Sequence, residues 1–287
     1  MTAAVASLPE IYARDGFVFP IEVVDSFEAS SIQNDLEKAE AELAHNPEKL
    51  GLVRAYPDRL LPSFDRLVRN SNLIAAVSPL LGPDLMVWSG GLFIKEANSS
   101  KVVTWHQDLN YWGLDEVNEV TAWVALSPST VASGCMRFVP GSHQRSLVPH
   151  TDTFDENNLL SRGQEIAVDV DDTDGVNVIL EPGQSSLHHG HLFHASGPNT
   201  TDHRRVGAAI RFISTSMRQE TGDRPLVTLV SGEDAYGHFT VTGPPRGWLV
   251  EEDFELCRRD AAIKRQILYV GAEKNTGGRY AATHGAY

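Results

Sequence analysis

The chain has 287 residues, 41% of them hydrophobic, which is enough to bury one large core. Its 38 Asp and Glu outnumber its 24 Lys and Arg and leave a net charge of −14. That balance disfavours nucleic-acid phosphates and anionic membrane surfaces as partners, while leaving room for a local basic pocket that takes a small anion. No stretch approaches the ~18 apolar residues of a membrane span. The opening MTAAVASLPEIYARDG lacks the charged and apolar regions of a secretory signal. With only Cys135 and Cys257, the chain is expected to be cytoplasmic and to keep both thiols reduced. No linker, repeat or low-complexity tract divides it, so a single domain over 1–287 is expected, with no feature that sets an oligomeric state.

In chain order, residues 5–16 read as a short helix closed by Gly16. FVFPIEV (17–23) reads as a strand interrupted by Pro20. Ile32, Leu36, Ala39 and Leu43 recur at helical spacing and predict a helix over about 28–45, with Pro47 beyond its end. Leu67, Leu73, Ile74 and Val77 predict another over about 64–77, stopped by Pro79 and Gly82-Pro83. The first 83 residues are therefore expected to form a helical support.

From residue 84 the pattern changes to short β-branched and aromatic runs between Gly, Pro, Asn and Asp clusters. Strands are expected at 85–94, 101–108, 120–126, 135–140, 164–170, 176–180, 186–195 and 206–214. The stretch 149–175 reads as a long loop and then a strand, and 149–163 is a candidate lid. A last helix over about 251–270 places Phe254, Leu256, Ile263, Ile267 and Leu268 on its apolar side. The fold class expected is mainly β, a jelly roll spanning about 84–240 with N- and C-terminal helical support.

Three units carry the chemistry. In WHQDLNYWGL (105–114), His106 and Asp108 are one residue apart, and residues two apart on a strand share a face. In HLFHASGPN (191–199), His194 ends a β run before a turn. Arg205 follows eleven residues later, across the turn on the next strand. Two His and one carboxylate with open positions make the facial triad of non-haem iron(II) oxygenases. A planar two-pronged cation suits the far carboxylate of a keto acid. Arg204 and Arg211 compete with Arg205 for that anion. Arg211 is expected off the Arg205 face, in a surface or salt-bridge role.

HQD (106–108), AW (122–123), SGCMRFVPGSH (133–143), LEPG (180–183), HASGPN (194–199) and RRVGAAIRF (204–212), in this order, resemble the phytanoyl-CoA dioxygenase family of Fe(II)/2-oxoglutarate oxygenases. The resemblance runs from Gly16-Phe17 to about Phe239. It implies a cupin-like double-stranded β-helix, metal ligands His106, Asp108 and His194, and 2-oxoglutarate held by Arg205 and Ser196 near Trp123. It also implies Fe(II) and O2 as partners of the reaction, with a small-molecule substrate oxidised as 2-oxoglutarate becomes succinate and CO2. Related halogenases lack a carboxylate at the position of Asp108, so hydroxylation is favoured over halogenation.

Asn110, Tyr111 and Trp112 are the candidate substrate residues. His188, His189 and His191 are expected outside the metal shell, His143 in a structural turn, His203 in solvent and Arg137 on an outer strand face. The details resemble bacterial aminoalkylphosphonate hydroxylases, with amino acids, natural-product intermediates and acyl-CoA as competing substrates. Only Lys95, Lys101, Arg145 and Arg162 are candidates to meet the phosphates of CoA. Two readings from other classes stand beside this one. They are a zinc-dependent hydrolase or isomerase on a cupin-like barrel and a non-catalytic binding protein.

Overall fold

The computed structural model describes residues 6–272. Helix α1 (Leu8–Asp15) starts at a capping box in which Ser7 and Glu10 satisfy each other, and closes at Gly16, whose φ of 84° suits glycine. Strand β1 (Phe17–Glu22) follows. Helix α2 (Ser26–Glu42) is capped by Asp25 and buries Ala29, Ile32, Leu36 and Ala39, the stripe its periodicity predicts.

The next segment departs from expectation. Residues 46–81 form four helices: α3 (Pro47–Ala55), α4 (Pro57–Leu60), α5 (Pro62–Val68) and α6 (Ser71–Leu81). Three of them open on proline, because the first helical position needs no N–H and tolerates the fixed φ. The single helix expected over 64–77 is divided where Asn70 accepts hydrogen bonds from the N–H groups of Asn72 and Leu73 and starts α6. Pro79 lies inside the last turn of α6 and does not end it.

The strands are β2 (Leu85–Ser89), β3 (Leu92–Lys95), β4 (Val103–His106), β5 (Glu119–Ala125), β6 (Met136–Phe138) and the hairpin pair β7 (His150–Asp152) and β8 (Gln164–Ile166). They continue with β9 (Val176–Val178), β10 (Gln184–His188), β11 (His194–Ser196), β12 (Arg205–Ser214), β13 (Leu226–Ser231) and β14 (Thr240–Val241). Helix α7 (Glu251–Leu268) closes the described chain. The run expected as one strand over 85–94 breaks at Gly90-Gly91, and both halves pair with β12. The run over 186–195 also divides, sending β10 to the large sheet and β11 to the small one. Strand β13 was not anticipated.

The large sheet runs β1-β10-β5-β12-β2-β13-β14, with β3 beside β2 on the same edge of β12; the small one runs β4-β11-β6-β9. Alternation along β5 and β12 sorts their residues onto two faces. Val120, Ala122, Val124, Val206, Ala208, Ile210 and Phe212 join the helices in the principal core. Trp123, Ala125 and Ala209 face the other way and pack with Met136, Phe138 and Val178 of the small sheet. The two sheets therefore sit face to face, with the helices behind the larger one.

The buried face of α7 is rotated from the one expected. It carries Phe254, Cys257, Ala261 and Ile267 together with Asp260 and Lys264, while Leu256 and Ile263 are half-buried. The polar pair is tolerated because Asp260 bridges Arg59 at 3.1 Å and Lys264 at 2.9 Å. Both cysteines are free and buried, and burial pushes the Cys257 thiol up to about 12.

Candidate active site

Strands β4 and β11 pair antiparallel with His106 opposite His194, which brings their ring centroids to 3.9 Å. Each Nδ1 lies 2.9 Å from the carbonyl oxygen two residues earlier, Thr104 for His106 and Leu192 for His194. With Nδ1–H donating there, each Nε2 keeps its lone pair for the space between the rings. Asp108 Oδ1 enters that space, 3.4 Å from His106 Nε2 and 4.0 Å from His194 Nε2. Ligand atoms of the three residues lie within 4.8 Å of one another, a set that could hold a metal ion.

The route to this convergence differs from the expected one. β4 ends at His106, and Asp108 opens a 3-10 turn, Asp108–Tyr111, that swings its carboxylate back toward the imidazoles. Gln107 between them is fully buried. Its Nε2 donates to the carbonyls of Ser146 and His191 at 2.6 and 2.8 Å, and its Oε1 accepts from Val148 N at 2.9 Å. Burial alone would raise the Asp108 carboxyl. The close approach of His106 and the neighbouring His194 and Arg211 outweigh it and hold the group ionised, well below the carboxylate range. Burial, with His106 beside it, pulls His194 well down, so this ring is neutral and able to ligate.

The three groups line a cavity of about 410 Å³ between the sheets. Beside them stand Arg205 on β12, Ser196 on β11 and Trp123 on β5. The Arg205 guanidinium rests over the Trp123 ring at 5.1 Å and donates through Nη1 to Gly134 O at 2.6 Å, while its buried Nε has no hydrogen-bond partner. Lys95, expected as a solvent-facing candidate for CoA phosphates, is instead fully buried opposite Arg205 on the paired strand β3. Its Nζ donates to Ser196 Oγ at 2.7 Å and to the Gly197 carbonyl. Burial, reinforced by the charge of Arg205, pulls the Lys95 ammonium down to about 6, and burial pulls Arg205 down to about 10. A buried guanidinium beside an amine that a bound anion would protonate, with no carboxylate between them, forms a site short of an anion.

Arg211 also corrects the sequence reading. Six residues from Arg205 is an even spacing, so both project from the same face of β12, and Arg211 is buried on the cavity wall. His188 lines the wall as well; neither ring nitrogen has a hydrogen-bond partner, and burial pulls it down to about 4. A second cavity of about 580 Å³ shares Phe93, Asp108 and Arg211 with the first and is not lined by Arg205. Tyr111 and Trp112 line it, as do Leu159, Leu160 and Ser161 of the stretch proposed as a lid. Asn110 does not; it is exposed on a separate cleft, because the 3-10 turn points it outward.

Arg137 lies 5.5 Å over the Trp105 ring, outside the lining of either cavity. Arg162, another CoA candidate, is buried and paired with Asp152. Gln107 and Lys95 thus join the site from structure alone. The one sequence signal for Lys95 was a charged residue ending an apolar strand run.

A sequence model of the family described as phytanoyl-CoA dioxygenase (PhyH) matches residues 12–207. A Caenorhabditis elegans protein described as a probable phytanoyl-CoA dioxygenase is 23% identical over 256 residues, covering 87% of this chain and 74% of that one. A probable alpha-ketoglutarate-dependent hypophosphite dioxygenase of Stutzerimonas stutzeri is 26% identical over 151 residues, 52% of each chain. Among solved structures, the non-heme monooxygenase ThoJ superposes with a TM-score of 0.83 and 33% identity, covering 92% of this chain and 98% of that one. No helix among the described residues is long and apolar enough to cross a membrane.

Proposed function

This chain belongs to the phytanoyl-CoA dioxygenase family of Fe(II)- and 2-oxoglutarate-dependent dioxygenases, and on that premise we propose that His106, Asp108 and His194 hold the iron at which it oxidises a C–H bond of a small polar metabolite. Iron(II) with 2-oxoglutarate and O2 supplies the oxidising power, and the cosubstrate leaves as succinate and CO2. The donor set fits iron(II): two imidazole nitrogens and one ionised carboxylate, converging on one cavity.

Arg205 grips the distal carboxylate of 2-oxoglutarate from its Trp123 shelf. Ser196 adds a hydroxyl to the same carboxylate, and Lys95 orients that hydroxyl and contributes charge. Gln107 fixes the turn that aims Asp108. The aromatic walls exclude water from the reacting centre. We read the two facing sheets as the halves of a double-stranded β-helix, and the whole chain as one oxygenase domain. The carboxylate of Asp108 favours hydroxylation over halogenation.

The observation that carries this reading is the buried Arg205–Lys95 pair beside the metal-ligating set. A zinc hydrolase or isomerase needs the His-Asp-His group alone and has no use for a buried guanidinium and amine that lack a carboxylate partner, and a binding protein has no need of three converging ligands. The test is succinate formation by anaerobically purified protein given Fe(II), 2-oxoglutarate and O2, with aminoalkylphosphonates, amino acids and acyl-CoAs as substrates. Substrate-stimulated succinate that disappears in Asp108→Ala, and that needs roughly tenfold or more 2-oxoglutarate in Arg205→Ala, is the expected result. Zinc-dependent turnover without succinate would overturn it.

A further inference from the structure

Beyond the charge it adds from a distance to Asp108, Arg211 has no contact with the metal ligands or the cosubstrate as assigned above, yet it is built into the same cavity. It is 5% exposed. Its hydrogen bonds are at the limit of length: Nη1 lies 3.5 Å from Ser89 Oγ and 3.4 Å from Ala209 O. Its guanidinium rests over two rings, Trp112 at 5.5 Å and Phe93 at 6.0 Å. No carboxylate among the described residues lies within ion-pair distance of it.

Two acidic groups act on it from further away. Asp108 belongs to the metal-ligating set. Glu119 is pushed well above the carboxylate range by burial and by Asp108, and its Oε1 accepts the Gly190 N–H. A guanidinium in so dry a place without a counter-ion is costly unless an anion arrives.

Its position says which anion. Arg205 and Arg211 stand on one face of β12, about 20 Å apart along the strand axis at ~3.3 Å per residue, and each rests on its own aromatic shelf. Arg205 is already matched to the cosubstrate. Arg211 stands where the two cavities meet, with Asp108 in the shared lining. The second cavity has walls of Trp88, Trp112 and Tyr111 and contains one other cation, Lys264, which is engaged by Asp260 and by the Trp88 carbonyl, each at 2.9 Å.

We propose that Arg211 is the substrate's anchor: the substrate carries an oxyanion, a carboxylate or phosphonate, that seats on Arg211, with its body against the aromatic wall and its oxidised carbon held toward the His106–Asp108–His194 group. This rests on the reading of those three residues as the iron site. The anchor fixes one end of the substrate, so the carbon presented to the metal is set by its distance from the anion.

The test is a binding measurement on the anaerobic protein loaded with Fe(II) and 2-oxoglutarate, read from the visible charge-transfer band of that complex. The probes are propionate and methylphosphonate, with propionamide as the neutral comparison, and the proteins are wild type, Arg211→Gln and Arg211→Lys. In the wild type both oxyanions, or one of them, should shift the band where propionamide does not, and the stronger of the two identifies the source of the oxyanion. Arg211→Gln should weaken that binding roughly tenfold or more, Arg211→Lys should keep part of it, and 2-oxoglutarate affinity should be unchanged in both. Equal binding of propionamide, no binding of either oxyanion, or undiminished binding by Arg211→Gln overturns the proposal. So does a loss of 2-oxoglutarate affinity in Arg211→Gln, which would assign the residue to the cosubstrate. If the wild type forms no charge-transfer band before any probe is added, it is the iron and 2-oxoglutarate reading that fails.

Discussion

Gln107 does not face the cavity, yet its amide ties three backbone groups of two loops to the turn between His106 and Asp108. Removing those ties frees the carboxylate to leave the imidazoles. Gln107→Ala is expected to lower Fe(II) affinity ~10–100-fold, measured by metal titration, with 2-oxoglutarate contacts untouched. Lys95 gives a pH effect whose sign is fixed. Burial and Arg205 hold its ammonium near 6 in the cosubstrate-free protein, so it is mostly neutral above that pH. A bound dianion favours the charged form and raises its pKa. Binding must then take up a proton: affinity for 2-oxoglutarate is full below about 6 and falls as pH rises above it, by about tenfold per pH unit, until the pKa of the complex is reached. Calorimetry in buffers of different ionisation enthalpy checks this; no proton uptake at neutral pH would exclude Lys95 from the anion site. At this scale the sequence was partly legible. The convergence of His106, Asp108 and His194 is legible because few residue types hold metals and the turn after His194 is marked by Ser-Gly-Pro-Asn. Lys95 could not, since nothing local says that a Lys at the end of a strand points inward.

At the scale of elements, strand β12 shows what an apolar run discloses and what it conceals. Its apolar composition identifies it, but its partners β3 and β2 divide one sequence run between them, and only pairing reveals the break at Gly90-Gly91. Pro47 reads as the stop beyond α2 when it starts α3, and Pro57 and Pro62 start α4 and α5, helices too short for apolar periodicity to disclose. The buried face of α7 differs from its apolar stripe because three of its buried positions are charged, Asp260 and Lys264 satisfied by each other and by Arg59 and Asp253 by Arg246, which no hydrophobic pattern records. Within β12, Gly207 has a specific duty. A Cβ there would overlap the Trp123 indole on the paired strand β5, the shelf on which Arg205 lies. Gly207→Ala is expected to destabilise the fold by about 1–3 kcal/mol through overpacking. It should also weaken 2-oxoglutarate binding by displacing that shelf. Urea denaturation and cosubstrate titration read the two effects separately, and a variant with wild-type values in both would show that Trp123 is free to move.

For the whole molecule, a net charge of −14 surrounds an interior that is locally cationic at Arg205 and Arg211, with Lys95 beside Arg205 able to take up a proton. A dianionic cosubstrate is repelled at long range and attracted only once inside. Raising ionic strength from about 10 to about 150 mM shortens the Debye length from ~30 to ~8 Å and screens the outer repulsion more than the buried attraction. The association rate of 2-oxoglutarate should therefore rise with salt, measured by stopped flow; a fall would mean that the cationic interior dominates the approach. The same interior sets a limit on how this protein can change over generations. Arg205 and Arg211 are held on a strand hydrogen-bonded along both edges, and inserting a single residue between them would exchange the cavity face for the helix face all along the remainder. Their separation is in effect a gauge block that descent cannot lengthen by small steps. A descendant that came to accept a bulkier reactant would have to rewrite the β7–β8 hairpin and the end of α7, the two walls free to grow, and leave the gauge as it is.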